Sequence, residues 1–288
     1  MDLGKIGVWS GALRNGERGA VLDAAAELED LGYGTIWFPG GAHEGLTEHI
    51  ESILQRTRRV GVATGIVNIW THPAAEVAAE HHAITTAHPG RFLLGLGVSH
   101  QPVVERSGLT YQRPLAKMTA YLDALDAAPH PVPKAERILA SLGPKSLAQA
   151  GARACGTHPY FVPPAHTRLA REALGPLAVV APEQMVVLET DQARAREIAR
   201  PLIDRYLHAP NYTNNLLRLG FTAADFSDGG SDHLVDAIVA HGDADTVMRR
   251  VQEHLDAGAD HVCIQVLTPT PAAIPMDGWR QLARVLPH

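Results

Sequence analysis

The sequence has little cysteine: Cys155 and Cys263 are the only two in 288 residues. Neither belongs to a Cys-x-x-Cys pair, which argues against zinc sites and a disulfide framework. Both fall in or beside apolar stretches and read as buried, reduced core thiols. Positive charge is not in excess. With a net charge of -6 and a pI near 6.2, there is no basic field for nucleic acid. Arg56, Arg58 and Arg59 come closest to a cluster and read as the cationic end of a helix. No apolar run reaches the roughly 18 residues of a membrane span. The opening Met1-Asp2-Leu3-Gly4-Lys5 lacks the charged and apolar regions of a signal peptide, so a cytoplasmic protein is expected. No linker, low-complexity tract or short repeat interrupts the chain, and residues 1–288 read as one domain.

What is present is 45% hydrophobic residues, enough to bury a large core, arranged in a recurring unit of short apolar strand and amphipathic helix. Strands are expected at 6–10, 35–39, 60–69, 92–98, 138–142, 160–162, 185–188 and 261–266. Helices are expected at 19–31, 48–56, 73–87, 115–127, 145–155, 168–174, 192–207 and 247–257, with extra ones at 214–219 and 234–240. Gly32 and Gly258 stop two of these helices, and Pro73 opens another where its missing N–H is harmless. Almost continuously apolar strands separated by helices indicate a parallel sheet covered on both faces. Eight such units in a chain of this length favour a closed (β/α)8 TIM barrel over an open sheet.

In a barrel, ligands meet the C-terminal ends of the strands and the loops that follow. That rule selects Trp9-Ser10, Gly40-Gly41-Ala42-His43, Val67-Asn68-Ile69-Trp70, Val98-Ser99-His100, Leu142-Gly143-Pro144-Lys145-Ser146, Val162-Pro163-Pro164, His166 and Leu267-Thr268. At Gly143, Pro144, Lys145 and Ser146, a glycine, a helix start and an ammonium together suit a phosphate. The same residues also read as a plain strand-to-helix turn with its lysine in solvent. Gly95-x-Gly97 is not a dinucleotide fingerprint, because the third glycine position is His100 and a loop is expected directly after it. Glycines in a strand instead permit tight packing or close ligand approach.

The sixteen histidines raise the question of metal, but no HExxH occurs and the adjacent His81-His82 cannot share a helix face. No metal site is expected. His100 stands just beyond a glycine-bearing strand, where an imidazole would serve a cofactor ring, act as general acid or base, or simply pack. Asn68 either hydrogen-bonds a ligand or caps the strand end. Trp9, Trp37 and Trp70 offer flat apolar surface at three strand ends.

Several segments resemble the luciferase-like monooxygenase superfamily over nearly the whole chain. They are Leu31-Gly32-Tyr33-Gly34-Thr35-Ile36-Trp37, Ala63-Thr64-Gly65-Ile66-Val67 with His72-Pro73-Ala74, Pro89-Gly90-Arg91-Phe92-Leu93-Leu94-Gly95-Leu96-Gly97, and Ala257-Gly258-Ala259-Asp260-His261-Val262. Within it, Thr64-Gly65-Ile66-Val67-Asn68-Ile69-Trp70, Gly97-Val98-Ser99-His100 and Leu142-Gly143-Pro144-Lys145 are similar to the actinobacterial branch of coenzyme F-420-dependent oxidoreductases.

The resemblance implies a bacterial-luciferase-like barrel with a deazaflavin across its C-terminal mouth. A non-proline cis peptide at Gly65-Ile66 or Ile66-Val67 would back the ring, with Gly65, Ile66, Val67 and Asn68 on one side. Val98, Ser99 and His100 would line the same groove, and Gly143, Pro144, Lys145 and Ser146 would take the phosphate. Relatives carry Asp-His at the end of strand two, where this sequence has Gly40-Gly41, so His43 or His100 is the candidate catalytic group. The implied reaction is hydride transfer between C5 of coenzyme F-420 and a small organic substrate. An FMN-dependent monooxygenase is the alternative, and Gly40-Gly41 also admits a non-catalytic coenzyme-binding barrel. A homodimer through the second and third helices is implied as well. Ala74, Ala75, Ala78, Ala79 and Ala83 would allow close packing there, although packing on the barrel explains them equally.

Overall fold

The structure, a computed structural model, describes residues 1–286. Its strands in chain order are β1 (Ile6–Trp9), β2 (Thr35–Phe38), β3 (Gly61–Thr64), β4 (Val67–Asn68), β5 (Phe92–Gly97) and β6 (Arg137–Leu139). They continue with β7 (Gly156–Thr157), β8 (Val179–Val180), β9 (Glu183–Val187), β10 (Val239–His241) and β11 (Val262–Val266). The hydrogen-bonded path runs β10-β9-β11-β1-β2-β3-β5-β6-β7-β8, with every pairing parallel.

Only Ala181 and Pro182 separate β8 from β9. The first half of this segment pairs with β7 and the second half with β11, which closes the path into a ring. Counting β3 with β4 and β8 with β9, and setting β10 aside, eight strands form the barrel. Side chains alternate across each strand. Val8, Ile36, Val62 and Ile264 pack in the large cluster that the helices cover. Trp9, Trp37, Ala63, Leu93, Ile138, Ala181 and Cys263 form a second cluster in the lumen, much as barrel interiors fill in layers. No helix among the described residues is long and apolar enough to cross a membrane.

The structure moves several expected elements. Strand six is Gly156–Thr157 rather than 160–162. Gly156 lies so close to its neighbour that a Cβ would stand 1.8 Å from the Val179 carbonyl oxygen, and Thr157 Oγ1 donates to Leu139 O at 3.0 Å. The apolar run Tyr160-Phe161-Val162 lies past the strand end, with Phe161 in the left-handed region at φ 61°. The expected 234–240 helix ends at Ile238, and the β-branched Val239 begins β10. The expected loop after β5 is residues 98–100 and leads into a helix, Gln101–Arg106, that was not expected; helix Met276–Ala283 is additional. Cys263 is buried as expected, but Cys155 is only partly so.

Candidate functional site

The mouth is organised by the break between β3 and β4. The Thr64 hydroxyl donates to Gly95 O at 2.9 Å and accepts the Gly95 N–H at 2.8 Å, replacing ladder bonds where the strand turns aside. The Gly65-Ile66 peptide is cis. It is fixed on three sides: Gly65 N–H donates to Phe38 O at 2.8 Å, Gly40 N–H to Ile66 O at 3.1 Å, and Trp9 Nε1–H to Gly65 O at 3.1 Å. Ile66 lies on Gly97, where an added Cβ would sit 2.6 Å from Ile66 Cγ1. Gly40 covers Val67 in the same way, with 2.9 Å from its Cβ position to the Val67 Cα.

Above this break is a pocket of about 390 Å³. Gly65, Ile66 and Asn68 line it on one side, and Val98, Ser99 and His100 on another. Ser99 adopts φ 55°, an uncommon conformation for a residue with a Cβ. His100 Nδ1 is 3.1 Å from Asn211 Oδ1, and its ring stands 5.1 Å from Tyr212. Burial lowers the His100 pKa, partly opposed by the bond to Asn211. Asn68 caps the strand end, its side-chain oxygen accepting the Trp70 N–H at 3.1 Å, and it also lines the pocket.

Not every expected residue joins them. Val67 is buried behind the pocket. His43 lines neither this pocket nor the larger one described below. Arg14 donates to Gly40 O and Ala42 O, which lays the loop after β2 against helix Ala74–Ala87. There His43 Nε2 lies 3.0 Å from Glu80 Oε1, and Nδ1 lies 3.4 Å from Glu76 Oε2.

Gly143 caps helix Pro144–Arg153, with Pro144 as its first residue. The Ser146 hydroxyl accepts the Gly143 N–H at 3.2 Å and donates to Gly143 O at 2.9 Å. This turn follows directly on Leu142, a lining residue. Lys145 is exposed, and the Arg218 guanidinium lies 3.4 Å from where a Gly143 Cβ would be. A helix start with two cations close by is suited to a phosphate.

The sequence reading missed His158. It is 1% exposed, stacks on Trp37 at 4.3 Å, and donates Nδ1–H to Ala181 O at 2.7 Å. Among the described residues its Nε2 has no partner, and it lies 2.9 Å from the Cβ position of Gly65. Burial pushes its pKa down to about 4. Once strand six is placed at Gly156–Thr157, His158 is the first residue past its end, so the missing signal was the strand itself. Beside it, Tyr160, Tyr206 and Tyr212 pack together over Glu183. Glu183 is 1% exposed, with one carboxyl oxygen unpartnered, and burial raises its pKa to about 8.

A larger cavity of about 770 Å³ adjoins the first, sharing Trp9, Pro39, Arg205 and Tyr206 with it. Among the described residues no group of three or more His, Cys, Asp or Glu side chains could hold a metal ion.

Comparison with solved structures finds the same fold in enzymes of low sequence identity. An F-420-dependent secondary alcohol dehydrogenase in complex with an F-420-acetone adduct superposes with a TM-score of 0.73 at 17% identity, over 98% of each chain. The coenzyme F-420-dependent tetrahydromethanopterin reductase of Methanopyrus kandleri gives 0.75 at 15%, over 96% of this chain and 97% of its own. The oxygenating constituent of 3,6-diketocamphane monooxygenase from Pseudomonas putida, in complex with FMN, gives 0.69 at 14%, over 98% and 96%. No curated protein matches the sequence. The profile of luciferase-like monooxygenases, in contrast, matches residues 5–261, and the chain belongs to that family.

Proposed function

We propose that the protein is a coenzyme F-420-dependent oxidoreductase, with the ring of the deazaflavin in the 390 Å³ pocket at the mouth of the barrel. The observation that carries this reading is the floor at the strand break, where Gly65 and Gly97 line the pocket beside Ile66 and the packing of Trp9, His158 and Ile66 against them leaves no room for a side chain. A flat, rigid ligand needs such a bare surface for close approach. The buried, unpartnered Nε2 of His158 beneath it marks a floor whose polar atoms are incomplete on their own. Gly65, Ile66, Asn68, Val98 and Ser99 would hold the ring, while Gly143, Lys145 and Ser146, with Arg218, would hold the phosphate. The bound deazaflavin supplies a two-electron hydride carrier at C5.

The chain's own contribution is positioning, exclusion of water and one proton. Trp9, Tyr160, Tyr206 and Tyr212 close the pocket with apolar surface. His100, its pKa lowered by burial and its ring anchored by Asn211, is the group placed to hold or pass a proton; His43 lies beside Glu76 and Glu80 instead. Among the solved enzymes of the same fold named above, two are F-420-dependent and one binds FMN. FMN would fit the same bare floor and is the second reading.

Titration with coenzyme F-420 and separately with FMN, followed by tryptophan quenching, tests the assignment. Trp9 lines the pocket and should report occupancy. F-420 is expected to bind more tightly than FMN, and Lys145→Ala should weaken it about tenfold, as loss of one charge-assisted phosphate contact would. Binding of FMN alone would move the protein to the monooxygenase reading, and binding of neither would leave a silent barrel.

A further inference from the structure

The larger cavity is not used by the cofactor assignment. At about 770 Å³ it lies within the usual range for small-molecule sites, roughly 300–1,000 Å³. One wall is helix Gln192–Leu207, which presents Arg194, Glu197, Ile198, Pro201, Leu202 and Arg205 as a single stripe. The facing wall, from Val266 and Leu267 through Pro269, Pro271, Ala273 and Pro275, is mainly apolar, with Gln265 and Thr268 as its polar members. Charge is unequal along the stripe. Arg194 Nη1 stands 3.6 Å from Glu197 Oε2, so that end is balanced. Arg205 lies about 16 Å further along the helix, at 1.5 Å per residue, and no carboxylate among the described residues pairs with it. It stands where the two cavities meet, beside Trp9 and Tyr206. In a chain of net charge -6 this unmatched guanidinium is a local reversal of sign.

We propose that this cavity binds the substrate, and that the substrate is an elongated, mainly apolar carboxylate whose acid group pairs with Arg205. A guanidinium is the cation best shaped for a carboxylate, which it can grip with two parallel N–H bonds, and the apolar run beyond it takes the hydrocarbon. Only the word substrate rests on the cofactor assignment; the preference for an apolar acid rests on the cavity's own residues. Arg205 also borders the smaller pocket, so the cofactor's phosphate is the competing anion, and the test separates the two.

Calorimetry on the cofactor-free protein would compare octanoate with its neutral counterpart octanamide. Octanoate is expected to bind at least about fivefold more tightly, the scale of one ion pair in a cleft. Arg205→Gln should reduce that preference to less than about twofold, Arg205→Lys should restore part of it, and Arg58→Gln, an exposed cation outside both cavities, should leave it intact. Thermal melts would verify that each variant folds. F-420 affinity should fall less than octanoate affinity in Arg205→Gln. Equal affinity for acid and amide, no binding of either, or a preference that survives Arg205→Gln would overturn the proposal. So would an Arg205→Gln variant that loses F-420 and keeps octanoate. Failure of F-420 to bind the wild-type protein would remove the cofactor assignment alone and leave the octanoate result standing.

Discussion

His158, His254 and His261 are buried, and the hydrogen-bond partners of their rings are neutral. His254 Nε2 meets Gln184 Oε1 at 2.9 Å and its Nδ1 meets Thr167 Oγ1 at 2.7 Å. His261 accepts the Trp37 indole N–H at 3.0 Å and donates to Gly4 O at 2.8 Å. Burial pushes their pKa values down to about 4, 3 and 4 respectively, from 6.5 in the unfolded chain. Between those limits the unfolded state binds protons that the native state refuses. Stability is therefore fully present above pH 6.5 and is lost as pH falls from there towards 4. Glu183 acts in the opposite direction. Its pKa rises from 4.5 to about 8, so the native state keeps a proton that the unfolded state releases, and stability falls as pH rises from 4.5 to 8. The two trends place the maximum near pH 6.5. Urea denaturation across pH 4 to 9 should show both limbs, and Glu183→Gln should flatten only the alkaline one; an unchanged alkaline limb would contradict the buried, protonated carboxyl. Residues such as these are hard to read from sequence, because a histidine's role depends on which neighbours the fold brings to it.

Gly95 shows how one element depends on another. Its Cβ position is 1.8 Å from Thr64 O, backbone that cannot move without breaking the turn at Gly65. Gly95→Ala is expected to destabilise the protein by about 3 kcal/mol, at the upper end of overpacking costs, and to lower F-420 binding with it. A melting temperature within a degree of wild type would show that β3 can yield. At this scale legibility varied with hydrophobic content. β5 and β11 are apolar runs of five or six residues, and the helices between them carry clear periodicity. β7 has only Gly156 and Thr157, with no apolar signal, so the next apolar run was read as the strand. The glycine-bearing end of β5 and the Gly143 turn were legible because glycine and proline mark backbone geometry directly, whereas the break in the third strand was implied by the resemblance and not by the residues, which read as one strand. His158 and Arg218 were not legible, since their place follows from packing alone.

The whole molecule adds what no single segment contains. Both cavities border Trp9 from the first strand and Tyr206 from a helix about two hundred residues later, a junction made only when the ring closes. On the outer surface, Ala75, Ala79 and Ala83 are exposed at four-residue spacing on helix Ala74–Ala87, the face through which the proposed homodimer would pack. Ala79→Arg should convert a dimer into single chains when mass is measured by light scattering; a wild-type mass of one chain would dismiss the dimer.

Ring closure also bears on how the protein is made. The outer edge of β1 has β11 as its partner, and those residues leave the ribosome some 250 positions after it. Until then a growing chain carries an open sheet with an unsatisfied edge, the kind of surface that recruits other strands. Synthesis of this barrel is thus vectorial but its completion is not, and a chain that stalls before Val262 would depend on chaperones to stay out of aggregates.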